Sequence, residues 1–235
     1  MRAMGAMRPT TASLRRGSAA DAVVALLVLV LLVVMASSAR DLVLGYPYGV
    51  DLEIPLRAAE RWVAGGDPYP AAAFHAPNGP GLPFLYPPFV LPIIAPLTVL
   101  PRAVVMTIWT AILTGAGYAA GRRLGLGPVV AAIALTWPPF LEAIIGGNVQ
   151  VLLFAAFVVL LYRDGRPVDP AASPRPAITD GLLGTFVGAL KVSQVHTWAY
   201  LLRRRPAAAL TGLAIFAAIA IVTLPLVGAN TWLDW

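Results

Sequence analysis

Two acids, Asp51 and Glu53, stand two residues apart in "GVDLEIPLRAAERWVAGGDPY" (residues 49–69), a polar stretch between apolar segments. A carboxylate held beside a lipid surface can act as a general base, taking a proton from a lipid-borne hydroxyl. The same acids can equally be solvated loop charges, or charges favoured at a helix start by its dipole. The residue types leave both readings open. Lys191, the one lysine of the chain, sits inside an apolar run spanning residues 181–202. A charge in such a run is costly and marks a functional position by default. The alternative is an ammonium snorkelling to the surface from a helix end. His196 follows five residues later; it could approach the same site or serve as a hydrogen-bonded packing residue. Tyr86 heads "YPPF", where an interfacial aromatic is the plain reading. Asn148 and Gln150 fall in "GNVQ" beside a helix end, where ordinary capping is one use.

Composition sets the medium in which these groups work. Of 235 residues, 59% are hydrophobic and 12% charged, and the mean hydropathy is +0.78. A soluble domain carries about 25% charged residues, so the chain reads as an integral membrane protein. It has no cysteine, which excludes disulfides, thiolate metal sites and thiol nucleophiles. His75 and His196 are far apart in sequence, and no metal cluster shows. No P-loop or dinucleotide fingerprint is present, and no cofactor is called for. The net charge of +6 comes from arginines at the ends of apolar runs. That is how membrane topology is written, and it argues against nucleic acid as a partner.

The elements that must position these groups follow from hydropathy and proline. Residues 1–21 form a basic cytoplasmic segment, and 22–235 a polytopic membrane domain whose first helix covers 22–38. Residues 39–101 are a first external loop, and loops of this length are usually functional. Within it, 84–100 is apolar but carries Pro87, Pro88, Pro92 and Pro96. Each proline removes a backbone donor, so a short helix at the outer interface is expected in place of a straight span. Further apolar runs cover 102–121, 128–145 (broken by Pro138-Pro139), 149–162, 181–202 and 207–227. If 181–202 is a hairpin turning near Lys191, twelve arginines fall inside and Arg40, Arg57, Arg61 and Arg102 outside. This bias obeys the positive-inside rule. The expectation is an all-α membrane fold of about seven helices, two of them short, with Asp51, "GNVQ" and Lys191 on the outer side.

In the opening stretch, Leu56, Ala59, Trp62 and Val63 recur on one helical face and Arg57, Glu60 and Arg61 on the other. Pro55 suits a first turn and Gly65-Gly66 a helix end. An amphipathic surface helix over 55–64 is expected, with Asp51 just before it and Trp62 at headgroup level.

Four ordered segments, "VDLEIPLRAAERWVAGGDPY", "FLYPPFVLPIIAPLTVLP", "GGNVQVLLFAAFVVLL" and "GLLGTFVGALKVSQVHTWAYLLRRRP", resemble the family-87 glycosyltransferases of the C superfamily. These enzymes use polyprenyl-phosphate sugars, and actinobacterial members include mannosyltransferases of phosphatidylinositol mannoside synthesis. The resemblance implies an inverting transfer of a sugar, mannose favoured, to a lipid or glycan acceptor at the extracytoplasmic face of the cell membrane. Asp51 matches the family's external-loop acid and would be the base; the tyrosine of that motif is replaced by Pro55. Lys191 would meet the leaving phosphate. His196, Asn148, Gln150, Tyr86 and Arg57 are the further candidate substrate-binding residues, Asn148 and Gln150 toward sugar hydroxyls. Family members carry about twice as many spans, so the chain looks like an N-terminal half. A transporter or flippase, or an inactive subunit derived from the enzyme, are the competing readings.

Overall fold

A computed structural model describes residues 19–44, 48–70, 83–163, 165–168, 176–191 and 196–235. Most of the basic N-terminal segment, His75, Arg175 and residues 192–195 lie outside the described residues. The described chain is helical apart from one two-residue ladder: α1 (Ala19–Leu44), α2 (Val50–Val63), α3 (Val90–Ile94) with a 3₁₀ turn (Ala95–Val99), and α4 (Arg102–Arg123). There follow α5 (Pro128–Ala134), α6 (Pro138–Gly146), α7 (Gln150–Leu161), and β1 (Tyr162–Arg163) paired with β2 (Arg166–Pro167). Then come α8 (Ala177–Leu190), α9 (His196–Arg204), α10 (Pro206–Val227) and α11 (Ala229–Asp234).

Among the described residues two helices, α4 and α10, are long and apolar enough to cross a membrane, each with 22 residues. At 1.5 Å per residue such a helix spans about 33 Å, enough for a hydrocarbon core of about 30 Å. The pair α5–α6 bends by 72° and would count as one broken span. The break is chemical. Pro138 pushes Trp137 out of helical conformation, to φ −60° and ψ 129°, because its ring clashes with the preceding residue. Prolines also confine α3 to five residues, as the sequence predicts for 84–100.

The surface helix differs from expectation in two ways. It begins at Val50, five residues early, so Asp51 lies inside its first turn. Gly49 starts it in the left-handed region at φ 77°, and the Gly49 carbonyl accepts from Leu52 and Glu53 N–H at 3.0 and 2.9 Å. Those bonds close the turn before Pro55 can interrupt it. The second difference is the fate of its apolar face. Leu52, Leu56 and Ala59 are buried against Leu91 and Ile94 of α3 and Val105 of α4, while Val63 is exposed. The amphipathic period is the one the sequence shows, but it is satisfied by protein. Arg102, at the start of α4, fastens the polar face by bonding Glu60 at 2.6 Å and approaching Glu53 at 3.5 Å.

The second half is held by small residues. At Gly181 of α8 a methyl would stand 2.9 Å from Ala208 O and Gly212 N of α10. Absent side chains thus let the two backbones meet, the usual way helices pack in lipid. The Thr185 hydroxyl donates to Gly212 O at 2.8 Å across the same contact. On another face of α8, Gly184 meets Leu201 and Gly188 meets Trp198 of α9. That antiparallel order makes α8 and α9 the hairpin expected around Lys191.

The elements sort their polar groups to two ends. Arg123 donates to Tyr162 O at 2.7 Å, and Gly165 N–H to Arg123 O at 2.9 Å. Leu160 packs on Leu201 and Ala209, which brings Arg204 and Arg205 toward this end. Buried Asp180 pairs there with Arg205. Asp51, Asn148 and Lys191 gather at the other end, on the opposite termini of α7 and α8.

Candidate active site

Asp51 is half-buried in the first turn of α2 and faces the turn between α6 and α7. Gly49 N–H donates to Ile145 O at 2.9 Å, which docks the start of α2 on that turn. Gly147 ends α6 at φ 76°, a left-handed conformation that glycine adopts without a Cβ penalty. Its carbonyl accepts from the Trp109 indole at 2.8 Å. The reversal brings Asn148 under Asp51, and Asn148 Nδ2 donates to Asp51 Oδ2 at 2.9 Å. Asn148 Oδ1 accepts from Gln150 N–H at 2.9 Å, so it also caps α7.

A cavity of about 630 Å³ opens here, lined by Asp51, Tyr69, Tyr86, Asn148, Lys191 and Asp234 among others. Lys191 enters it because α8 stops at Leu190 and Lys191 is extended, at φ −140° and ψ 115°. Tyr86 is held through its backbone, whose carbonyl accepts from the Tyr69 hydroxyl at 2.6 Å. Tyr69 is set in turn by Asp67 Oδ1, which accepts from Tyr69 N–H at 2.7 Å. Burial, with the Asp51 charge second, pushes the Tyr86 phenol up to about 12. Burial, with Asp67 second, raises the Tyr69 phenol further still. Both are therefore neutral donors at physiological pH. An apolar groove of about 210 Å³ shares Asp51 and Tyr86 with the cavity and continues along Phe89, Val90, Trp109 and Phe186.

Four of the seven candidate residues thus meet in one cavity: Asp51, Tyr86, Asn148 and Lys191. Gln150 contributes its backbone N–H to Asn148. Arg57 lies on the exposed side of α2 and pairs with Glu53 at 2.9 Å. His196 begins α9 and lines a different, apolar cavity of about 520 Å³ with Trp198 and Phe216, its ring 6.4 Å from that of Phe157. Sequence reasoning passed over Asp234 and Trp235, which also line the Asp51 cavity. Trp235 is tied there by its indole, which donates to Leu85 O at 3.1 Å. An acid between two tryptophans in "TWLDW" was the available signal. Among the described residues no three His, Asp or Glu side chains converge as a cation site would need.

The apolar helices, with a carboxylate and an ammonium at one end beside a greasy groove, define a helical membrane protein with a site suited to amphipathic ligands. The sequence profile of Glycosyltransferase family 87 matches residues 84–235, and the chain belongs to that family. It is similar to a polyprenol-phosphate-mannose-dependent alpha-(1-2)-phosphatidylinositol mannoside mannosyltransferase of Mycobacterium tuberculosis (strain ATCC 25618 / H37Rv). The two are 29% identical, with 80% of this chain and 48% of the relative covered. The chain therefore spans about half the length of the curated relative it matches. No solved structure matches it.

Proposed function

We propose that the chain carries the base of a membrane glycosyltransferase that moves a sugar from a polyprenyl-phosphate donor to a lipid or glycan acceptor at the extracytoplasmic face. Mannose is the sugar favoured, from the activity named for the mycobacterial relative. The observation that carries the reading is the cavity lined by both Asp51 and Lys191, with Asp51 shared by an apolar groove. A lipid-linked sugar needs that combination: a wet site for sugar and phosphate, and a dry one for the chain.

The reaction is a single displacement. The acceptor oxygen attacks the anomeric carbon as its proton passes to Asp51. The carbon–oxygen bond to phosphate breaks, and the lipid phosphate leaves with the electron pair beside Lys191. Inversion follows from one displacement. Catalysis then consists of aligning the reactants and stabilising the phosphate charge. The site end faces outward in this reading, and the arginine-rich end inward, as the positive-inside rule requires. About seven membrane helices, two of them short, complete the layout.

The test is transfer in membranes from radiolabelled polyprenyl-phosphate mannose to phosphatidylinositol mannosides, comparing wild type with Asp51→Asn. Wild-type transfer that falls about 10²- to 10⁴-fold in Asp51→Asn supports the reading, the span expected for loss of a general base. No wild-type transfer with expression confirmed leaves an inactive subunit or a transporter as the better account. Unchanged transfer in Asp51→Asn removes the base.

A further inference from the structure

The turn that meets Asp51 does more than connect two helices. Asn148 Oδ1 is taken by Gln150 N–H. The amide therefore has one orientation, because a flipped group would point an N–H at an N–H. The NH₂ end is left facing Asp51 Oδ2, at 2.9 Å. Gly146 acts on the same oxygen by what it lacks, since a methyl there would stand 3.1 Å from Asp51 Oδ2. Gly146 closes α6 as a helical residue, so what an added side chain would disturb is not its own backbone but the place of the Asp51 carboxylate, which would have to shift by a few tenths of an ångström. The turn itself is anchored on both sides, by Gly49 N–H to Ile145 O and by the Trp109 indole to Gly147 O. Among the described residues nothing donates to Asp51 Oδ1.

We infer that Gly146 and Asn148 are positioning residues for Asp51: they hold Oδ2 in one place and leave Oδ1 as the oxygen that takes the acceptor's proton. The inference rests on Asp51 being the base, as proposed above. It gives Asn148 a task distinct from binding a sugar hydroxyl. A base must sit within hydrogen-bond reach of its proton, and a carboxylate on a short side chain needs one fixed oxygen to aim the other.

Two variants separate this role from a structural one. Asn148→Asp is isosteric and keeps an oxygen for Gln150 N–H, so the cap on α7 survives. It replaces the donor by a second carboxylate against Asp51; two such groups in contact share a proton, and the free base is lost. Gly146→Ala leaves Asn148 intact and displaces the Asp51 carboxylate by contact. Both are assayed for transfer from polyprenyl-phosphate mannose, with folding checked by thermal unfolding in detergent. The expected result is kcat lower by about 10- to 100-fold in each, the scale for a misplaced catalytic group, with KM for both substrates within about two-fold of wild type. If Asn148→Asp does not fold, Gly146→Ala decides alone. Wild-type kcat in the folded variants overturns the inference, and so does a raised KM at unchanged kcat, which would put Asn148 on the substrate. Either result beside an inactive Asp51→Asn leaves the base standing and removes only its positioning. A wild type without transfer removes both.

Discussion

Asn148 and Asp51 are joined by a 2.9 Å hydrogen bond across 97 residues of chain. The bond links the first turn of α2 to the start of α7, and it depends on two neighbours without side chains. Gly146 leaves the space for the carboxylate, and Gly147 takes the left-handed turn that brings Asn148 beneath it. One contact therefore couples the placement of an acid to the geometry of a helix break.

Lys191 is expected to act on the donor. Replacing it by Ala removes the ammonium from the Asp51 cavity and should raise the donor KM by about 10-fold or more, the scale of one lost charge-assisted contact. The acceptor KM should stay near wild type. Lys191→Arg, which keeps the charge, should recover part of the loss. Initial rates with each substrate varied in turn check this, and equal effects on both KM values would refute it.

Two glycines with nearly equal positive φ make a matched pair. Gly65 has φ 78° and nothing within 4 Å of an added methyl, whereas Gly147 has φ 76° and would meet Leu52 Cβ at 3.0 Å. Alanine at Gly65 should cost about 1 kcal/mol for the left-handed conformation alone. At Gly147 the strain and the contact add, toward about 3 kcal/mol. Chemical unfolding in detergent should rank Gly147→Ala as clearly the less stable, and equal stabilities would show that the turn yields.

Asp180 is fully buried and pairs with Arg205 at the far end from the site. Asp180→Ala should cost about 3–5 kcal/mol, because it leaves a cation without this partner. Asp180→Leu with Arg205→Leu should recover part of that, since neither member of this pair is then left charged without the other. Unfolding of the single and double variants measures the coupling, and additive losses would contradict it.

Alkaline pH should weaken the fold through the Asp51 cavity. The Tyr86 phenol ionises at about 12 in the folded protein but near 10 in an unfolded chain. Between those values the unfolded state has released a proton that the native state keeps, so stability falls as pH rises. Below about pH 10 both states hold the proton and there is no effect. Tyr69, raised in the same direction, adds to the slope. Tyr86→Phe should lose stability less steeply than wild type from pH 10 to 12, measured by thermal unfolding across that window. Parallel slopes would exclude a contribution from Tyr86.

Much of this architecture was legible because it is local. The broken pair α5–α6 follows from Pro138-Pro139, and the short α3 from its prolines. The α8–α9 hairpin follows from Lys191 interrupting an apolar run, together with arginine placement. Lys191 was legible as a candidate because a charge inside an apolar run is costly, and Asp51 because it matches the external-loop acid of the family the segments resemble. Less legible was anything that depends on distant partners. The apolar stripe of α2 is the same whether lipid or protein covers it, so periodicity did not reveal that α3 and α4 do. Arg57 and His196 are polar groups in the same segments as Asp51 and Lys191, yet one pairs with Glu53 on the surface and the other lines a separate apolar cavity. Asp234 looks like a tail residue until α11 places it in the Asp51 cavity.

By itself the sequence determined a helical membrane protein, its breaks, its family and the acid most worth testing. Each follows from hydropathy, proline stereochemistry or a run of matching residues, all properties of neighbours along the chain. The tertiary structure alone decided which polar groups share a cavity, that Asp51 sits inside a helix, and that the "GGN" of residues 146–148 cradles its carboxylate. Those depend on the packing of segments about a hundred residues apart, where a missing methyl helps set the place of a carboxylate.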